Sequence, residues 1–221
     1  MVTLDWQNDL QAQGVRFKVL AHVFSVLRHD VIGPISNAAL AAAMLHQVPE
    51  DATNVVAQAR HERLVGDMES LLDEGVASLR GLDDWLIDRQ RTVASGKLLA
   101  ECRRLVFTRL MATGKQIHLP EADDGPGLSE FSARYVMIAW LLALVDTLPE
   151  GQAVTIESVA PGFWTAQPGR AEPPHPWDGQ PDPVRANEMQ WLANAGGWIA
   201  ECGDTLWTLR CPPRAGTAAG A

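Results

Sequence analysis

The stretch LRHDVIGPISNAALAAAML, residues 27–45, decides how the chain is read. Leu27, Val31, Ile35 and Ala38 recur at three- and four-residue steps, and Leu20 and Phe24 extend the row backwards. This spacing predicts one helix from about residue 14 to about residue 45 with a single apolar stripe. At about 100° per residue, His29 falls about 200° from Leu27, on the far face. Lys18, His22, Ser25, Gly33 and Ser36 fall on that side too. His29 is therefore expected to be exposed on a rigid helix, flanked by Arg28 and Asp30. An imidazole attacks phosphorus only through a neutral nitrogen that reaches a partner, and a neighbouring carboxylate can orient the ring while leaving the other nitrogen free. Pro34 removes a backbone bond to the carbonyl near Asp30, which predicts a bend there. A mid-helix Gly33-Pro34 costs on the order of 3–4 kcal/mol against alanine. Such a cost, one turn after an exposed His-Asp pair, points to a use for it.

Outward from this stretch, HQVPEDATN (46–54) reads as a short break, with Pro49 stopping the helix and Asp51 or Thr53 capping the next one. A second long helix is expected from about Asn54 to Asp88, with the stripe Leu64, Met68, Leu71, Leu72, Leu79, Leu82 and Leu86. A lone helical hairpin cannot bury both stripes, so a four-helix bundle formed by dimerisation is the natural completion. Beyond residue 90 the pattern changes to a helix (Leu98 to Met111), a strand KQIHL, a turn-rich PEADDGPG, and an apolar helix (Ser132 to Leu148). The strand AVTIE follows, then a Pro-, Gly- and Trp-rich loop from Pro161 to Pro183 and a helix from about Val184 to Ala195. Two strands, WIAEC and TLWTLRC, flank Gly203-Asp204. The fold class is α+β, divided into 1–89, an all-helical part, 90–213, a mixed lobe, and 214–221, a disordered tail.

Composition narrows the function. The 221 residues are 47% hydrophobic and 20% charged, ordinary for a globular chain, with a formal net charge of -9. Nucleic acid and anionic membranes require a basic surface, so neither is an expected partner. Cys102, Cys202 and Cys211 lack metal-ligand spacing and are odd in number, which fits a reducing cytoplasm without a disulfide framework or bound metal. The N-terminus lacks the pattern of a signal peptide, and no run of about 18 apolar residues occurs. The expectation is a cytoplasmic protein.

Residues 27–45 resemble the H-box of sensor histidine kinases, in which a His is followed at once by an acidic residue and five positions on by Pro. His29, Asp30 and Pro34 match that spacing. The resemblance implies that His29 is the phosphoacceptor and Asp30 its base or orienting group. It also implies a partner surface around His22, Ser25, Arg28, Gly33 and Pro34. Gly33 stands where many such kinases carry Thr or Asn to position water, which counts against phosphatase activity by that route. His61, in RHERL, lacks the following Pro and reads as a solvated face, while His46, His118 and His175 read as structural or loop residues.

The second half resembles the ATP-binding lobe of the same kinases, a GHKL/HATPase-like α/β sandwich, in the order of its helix, PEG turn, strand, closing helix and final hairpin. It lacks that lobe's chemistry. Ala139, Trp140, Ala143 and Leu144 stand where the resemblance would place a magnesium-holding Asn, and SVAPGFWTAQPGR offers no adenine-reading Asp. Asp124-Gly125-Pro126-Gly127 mimics a nucleotide loop but precedes the helix, and reads as a connecting turn. Trp140, Trp164, Trp177, Trp191, Trp198 and Trp207 suggest either a filled core or an exposed docking patch. A kinase-shaped chain that keeps the histidine but not the ATP residues resembles the dimeric histidine phosphotransferases of the ChpT type. That resemblance implies a homodimer that exchanges phosphoryl groups with response-regulator receiver domains, with no cofactor of its own and magnesium supplied by the receiver. The alternatives are a non-catalytic pseudo-histidine-kinase that regulates a partner by binding and an unusual active kinase with divergent ATP boxes.

Overall fold

The structure is a computed structural model that describes residues 3–45, 55–121, 125–171 and 181–212. The expected break at 46–54, Asp124, Trp177 and the tail at 214–221 lie outside the described residues, as do His46 and His175. The fold is α+β, with a long helical region at the N-terminus and a β-sheet lobe. Helix α1 spans Thr3–Leu45 and α2 spans Val55–Leu82, followed by a 3-10 turn at Asp83–Trp85. Helix α1 starts about three turns earlier than the apolar spacing suggests, and it continues through Pro34.

Contacts divide the chain into two compact units, Phe24–Ile87 and a second made of Met1–Val23 with Asp88–Ala221. A boundary near residue 89 alone is thus not what the packing shows, because the first turns of α1 belong with the lobe.

In the helical unit, Leu27, Val31, Pro34, Ala38 and Ala41 form the buried row of α1. A Cβ at Gly75 of α2 would stand 3.1 Å from Ile35 Cγ1, so glycine permits the close approach of the two helices there. The stripes read from sequence divide in two. Phe24 and Ile35 are exposed on α1, as are Leu72 and Leu79 on α2 and Leu86 beyond it, together with Ile32, Leu40 and Val76.

The lobe is built on a five-stranded sheet in the order β2-β4-β5-β7-β6. Its strands are β2 (Gln116–His118), β4 (Ala153–Ala160), β5 (Phe163–Ala166), β6 (Ile199–Cys202) and β7 (Trp207–Arg210). β2 pairs with β4 in parallel and the remaining pairs are antiparallel. A separate two-stranded ribbon joins β1 (Thr92–Ala94) to β3 (Gly127–Ser129). The expected helix from Leu98 to Met111 is two helices, α3 (Ser95–Leu105) and α4 (Phe107–Thr113), broken at Val106. Helix α5 (Glu130–Asp146) is buried from Tyr135 through Val145, and α3 and α6 (Ala186–Ala195) pack on it. With the fully buried Ile117, Ile156, Trp164 and Leu209 of the sheet, α5 makes the core of the lobe.

Strand β5 corrects the sequence reading, which places Phe163–Ala166 in a loop. Gly162, at φ +77°, turns the chain from β4 into β5, a central strand whose Trp164, Thr165 and Ala166 are all buried. A strand covered on both faces has no polar alternation to betray it.

After β5, residues 168–171 hang on the end of α5. The Gly169 N–H donates to Thr147 Oγ1 at 2.9 Å and the Ala171 N–H to the Thr147 carbonyl at 2.8 Å. A Cβ at Gly169 would run into the Thr147 carbonyl and stand 2.8 Å from Leu148 Cα. Gly169→Ala is therefore expected to destabilise the lobe by about 1–3 kcal/mol, measured by urea unfolding, since the obstacle is backbone.

Candidate functional site

The side chain of His29 is 86% exposed and that of Asp30 is 34% exposed. His29 Nδ1 lies 3.9 Å from Asp30 Oδ1, which puts the carboxylate on the Nδ1 side of a largely exposed ring. Helical backbone on both sides fixes where the ring starts from. The neighbouring carboxylate can take or share the Nδ1 proton as Nε2 forms a bond. Ser25 and Arg28 are exposed as well. Gly33 is half-buried, and Pro34 is buried in the apolar row, so it shapes the helix and offers a partner no surface.

His22 departs from the exposed position that helix geometry suggests. It is half-buried, and its Nε2–H donates to the Asp182 carbonyl at 2.9 Å. Burial is the largest influence on the ring and holds its pKa below the ordinary 6.5, with Arg109 and Lys18 acting in the same direction. The Asp182 carbonyl and Asp146 oppose them. Lys18, one turn earlier, donates to the Glu188 carboxylate at 2.8 and 2.9 Å.

A charged group deeper in the lobe has no signal in the sequence pattern. Arg109 donates from Nε and Nη2 to Asp146 Oδ1 at 3.0 and 2.5 Å. Asp146 is buried in the last turn of α5, where a carboxylate opposes the helix dipole. Arg109 compensates this charge. Lys115, buried and donating to the Val145 carbonyl at 3.0 Å, stands close enough to feel both. Burial is the main cause that pushes the Lys115 pKa down. Asp146 Oδ2 is buried with no hydrogen-bond partner among the described residues.

The helix face compared with a magnesium site is apolar and closed. Ala139, Trp140 and Leu144 are fully buried and Ala143 is 3% exposed. Trp164 and Trp198 stack with ring centroids 6.5 Å apart, so these tryptophans fill the core. Trp207 is buried too, whereas Trp191 is 41% exposed. Among the described residues, no group of three His, Cys, Asp or Glu side chains could hold a metal ion, and no helix is long and apolar enough to cross a membrane.

No family model matches the chain, and no curated protein matches it. Among solved structures it is similar to the cytoplasmic segment of histidine kinase QseC, with 11% identity and a TM-score of 0.42 over 57% of this chain and 79% of that one. It is similar to the Acinetobacter baumannii histidine kinase AdeS, with 13% identity and a TM-score of 0.39 over 84% of this chain and 98% of that one. A third is a histidine kinase from Burkholderia phymatum STM815, with 17% identity and a TM-score of 0.36 over 93% of this chain and 96% of that one.

The geometry separates the two histidines of α1. Limited carbethoxylation of the folded protein, followed by peptide mass spectrometry, is expected to label His29 well ahead of His22. Equal rates would contradict the contact between His22 and Asp182.

Proposed function

We propose that the chain is a histidine phosphotransferase of two-component signalling, which passes a phosphoryl group between receiver-domain aspartates through His29 without using ATP. The observation that carries this reading is the imidazole of His29, 86% exposed, with Asp30 on the Nδ1 side of the ring. In the transfer step, the Nε2 lone pair attacks the phosphorus of a receiver's aspartyl phosphate. A P–N bond forms as the P–O bond to the aspartate breaks and its carboxylate leaves, and the Nδ1 proton passes to Asp30 or to water. The receiver supplies the magnesium and the in-line geometry, and this chain supplies the nucleophile. The reverse step delivers the group to a second receiver.

Two further observations support the reading. The Asn and Asp that the kinase resemblance calls for are replaced by buried apolar side chains and by strand β5. Without them the charge of a bound triphosphate goes uncompensated. In the helical unit, Ile32 and Ile35 on α1 and Leu72, Val76 and Leu79 on α2 remain exposed, an apolar surface suited to a second copy of the same hairpin. Ser25, Arg28 and Gly33 then give the receiver its contact surface around His29, while His22 and Pro34 act from beneath it.

The decisive experiment incubates pre-phosphorylated receiver domains with the wild-type chain and with His29→Ala. Label is expected on wild type and absent from the variant. No label from any receiver, with folding and dimerisation intact, would replace this reading with a pseudokinase that regulates by contact. A fluorescent ATP analogue is expected to show no binding. Leu72→Glu combined with Leu79→Glu is expected to convert a dimer to a monomer in sedimentation, without loss of lobe structure.

A further inference from the structure

Successive residues of β4 point to opposite sides of the sheet. Val154 and Ile156 are buried in the core of the lobe, while Thr155 and Glu157 face the other way and are exposed. Glu157 stands directly opposite Thr165 of β5, and Thr165 opposite Thr208 of β7, so these three share the outer face. Beyond the pair of Ile156 with Ala166, β5 ends and its chain turns off toward Thr147. A cavity of about 460 Å³ lies between the start of β4 and residues 165–169. Small-molecule sites run from about 300 to about 1,000 Å³. Its walls are set in advance. The Gly169 N–H donates to Thr147 Oγ1 at 2.9 Å, and the Gln152 backbone donates to the Pro149 carbonyl at 3.3 Å and accepts from the Gln116 N–H at 3.0 Å.

Five polar side chains line this cavity, those of Gln152, Thr155, Glu157, Thr165 and Gln167. None of them makes a hydrogen bond among the described residues. For the four exposed ones, water is partner enough. Thr165 is different, because only 8% of it is exposed and its hydroxyl is unpaired, which is costly unless a molecule in the cavity meets it. We infer that the cavity is a binding site for a small uncharged hydroxylated molecule, a monosaccharide or a cyclic polyol. The inference concerns the lobe alone and holds whether or not His29 accepts a phosphoryl group.

The side chains select the class of ligand. Threonine hydroxyls and glutamine carboxamides each donate and accept, and the Glu157 carboxylate accepts. No described Lys, Arg or His lines the cavity, so a phosphate or a nucleotide would meet Glu157 with no cation to offset its charge. An ammonium or a polyamine would satisfy Glu157 and leave the donors of the two threonines and two glutamines idle. Hydroxyls on neighbouring carbons both donate and accept, and can serve all five side chains at once. Leu148 and Leu206 also line the cavity and offer apolar surface to the C–H face of a ring. The lining shares no residue with the closed face of α5 at Ala139, Trp140, Ala143 and Leu144, so the filled core and this cavity are separate features.

Backbone amide shifts of the full chain are followed by two-dimensional NMR during titration with glucose, ribose and myo-inositol. Spermidine and inorganic phosphate serve as the cationic and anionic comparators. Saturable shifts are expected at residues 152–157 and 165–167 with at least one of the three hydroxylated probes and with neither comparator. Thr165→Val keeps the β-branched shape and removes the hydroxyl, and is expected to weaken that binding about five- to tenfold, the loss of one hydrogen bond. Glu157→Gln, at an exposed position that leaves the core untouched, is expected to weaken it as well. No saturable shift with any of the three probes, an affinity unaltered in both variants, or the same residues responding to spermidine or phosphate would each overturn the inference.

Discussion

A helix with no polar face must be covered on every side, and α5 imposes that demand on the lobe. From Tyr135 to Val145 it presents no residue to water, so α3 and α6 pack on it and the sheet completes the cover. An all-round apolar helix of this kind is stable only at the centre of a domain. Its C-terminal end carries the cost of a buried carboxylate, Asp146, which Arg109 offsets. Thr147, one residue on, receives the returning chain at 169–171. The end of one helix thereby organises α4 and the segment that leaves β5.

Helix α1 has a different constraint, because it serves two units in succession. Val19 and Val23 are buried within the lobe unit, while Leu27, Val31 and Ala38 are buried within the helical unit. A second set of apolar residues, Phe24, Ile32, Ile35 and Leu40, stays exposed on the same helix. Apolar side chains on more than one face leave the helix with little net asymmetry, as expected of an element that answers to more than one neighbour. The polar face that remains carries Lys18 and His22 toward the carbonyls of Pro183 and Asp182 and His29 toward solvent.

What could be read from the sequence follows from how local each cause is. The two long helices, α5, α6 and the final hairpin are written in periodicity, Gly-Gly punctuation and turn residues that act within a few positions. The exposure of His29 follows from helix geometry alone. β5 escaped because a central strand covered on both faces carries no alternation. The ribbon of Thr92–Ala94 with Gly127–Ser129 escaped because each strand is three residues long and finds its partner far along the chain. The contacts of His22 with Asp182 and of Arg109 with Asp146 join residues 160 and 37 positions apart, and nothing near either residue announces its partner. Helix geometry assigns a side chain to a face and is silent on what covers that face. For that reason His29 matched its expected exposure and His22, two turns earlier, did not.

The packing around Ala139, Trp140, Ala143 and Leu144 also bears on how this lobe could change. An asparagine introduced at any of these buried places would take a carboxamide out of water, at a cost of about 1–3 kcal/mol wherever it is left unpaired. Replacing Trp140, which is fully buried, would in addition open a void in the core. Each step toward a polar pocket here is downhill in stability, and several must be taken together before any ligand could offset them. An interior of this kind is entrenched: a polar change at one position is resisted by its neighbours, and the resistance grows with the size of the side chains packed there.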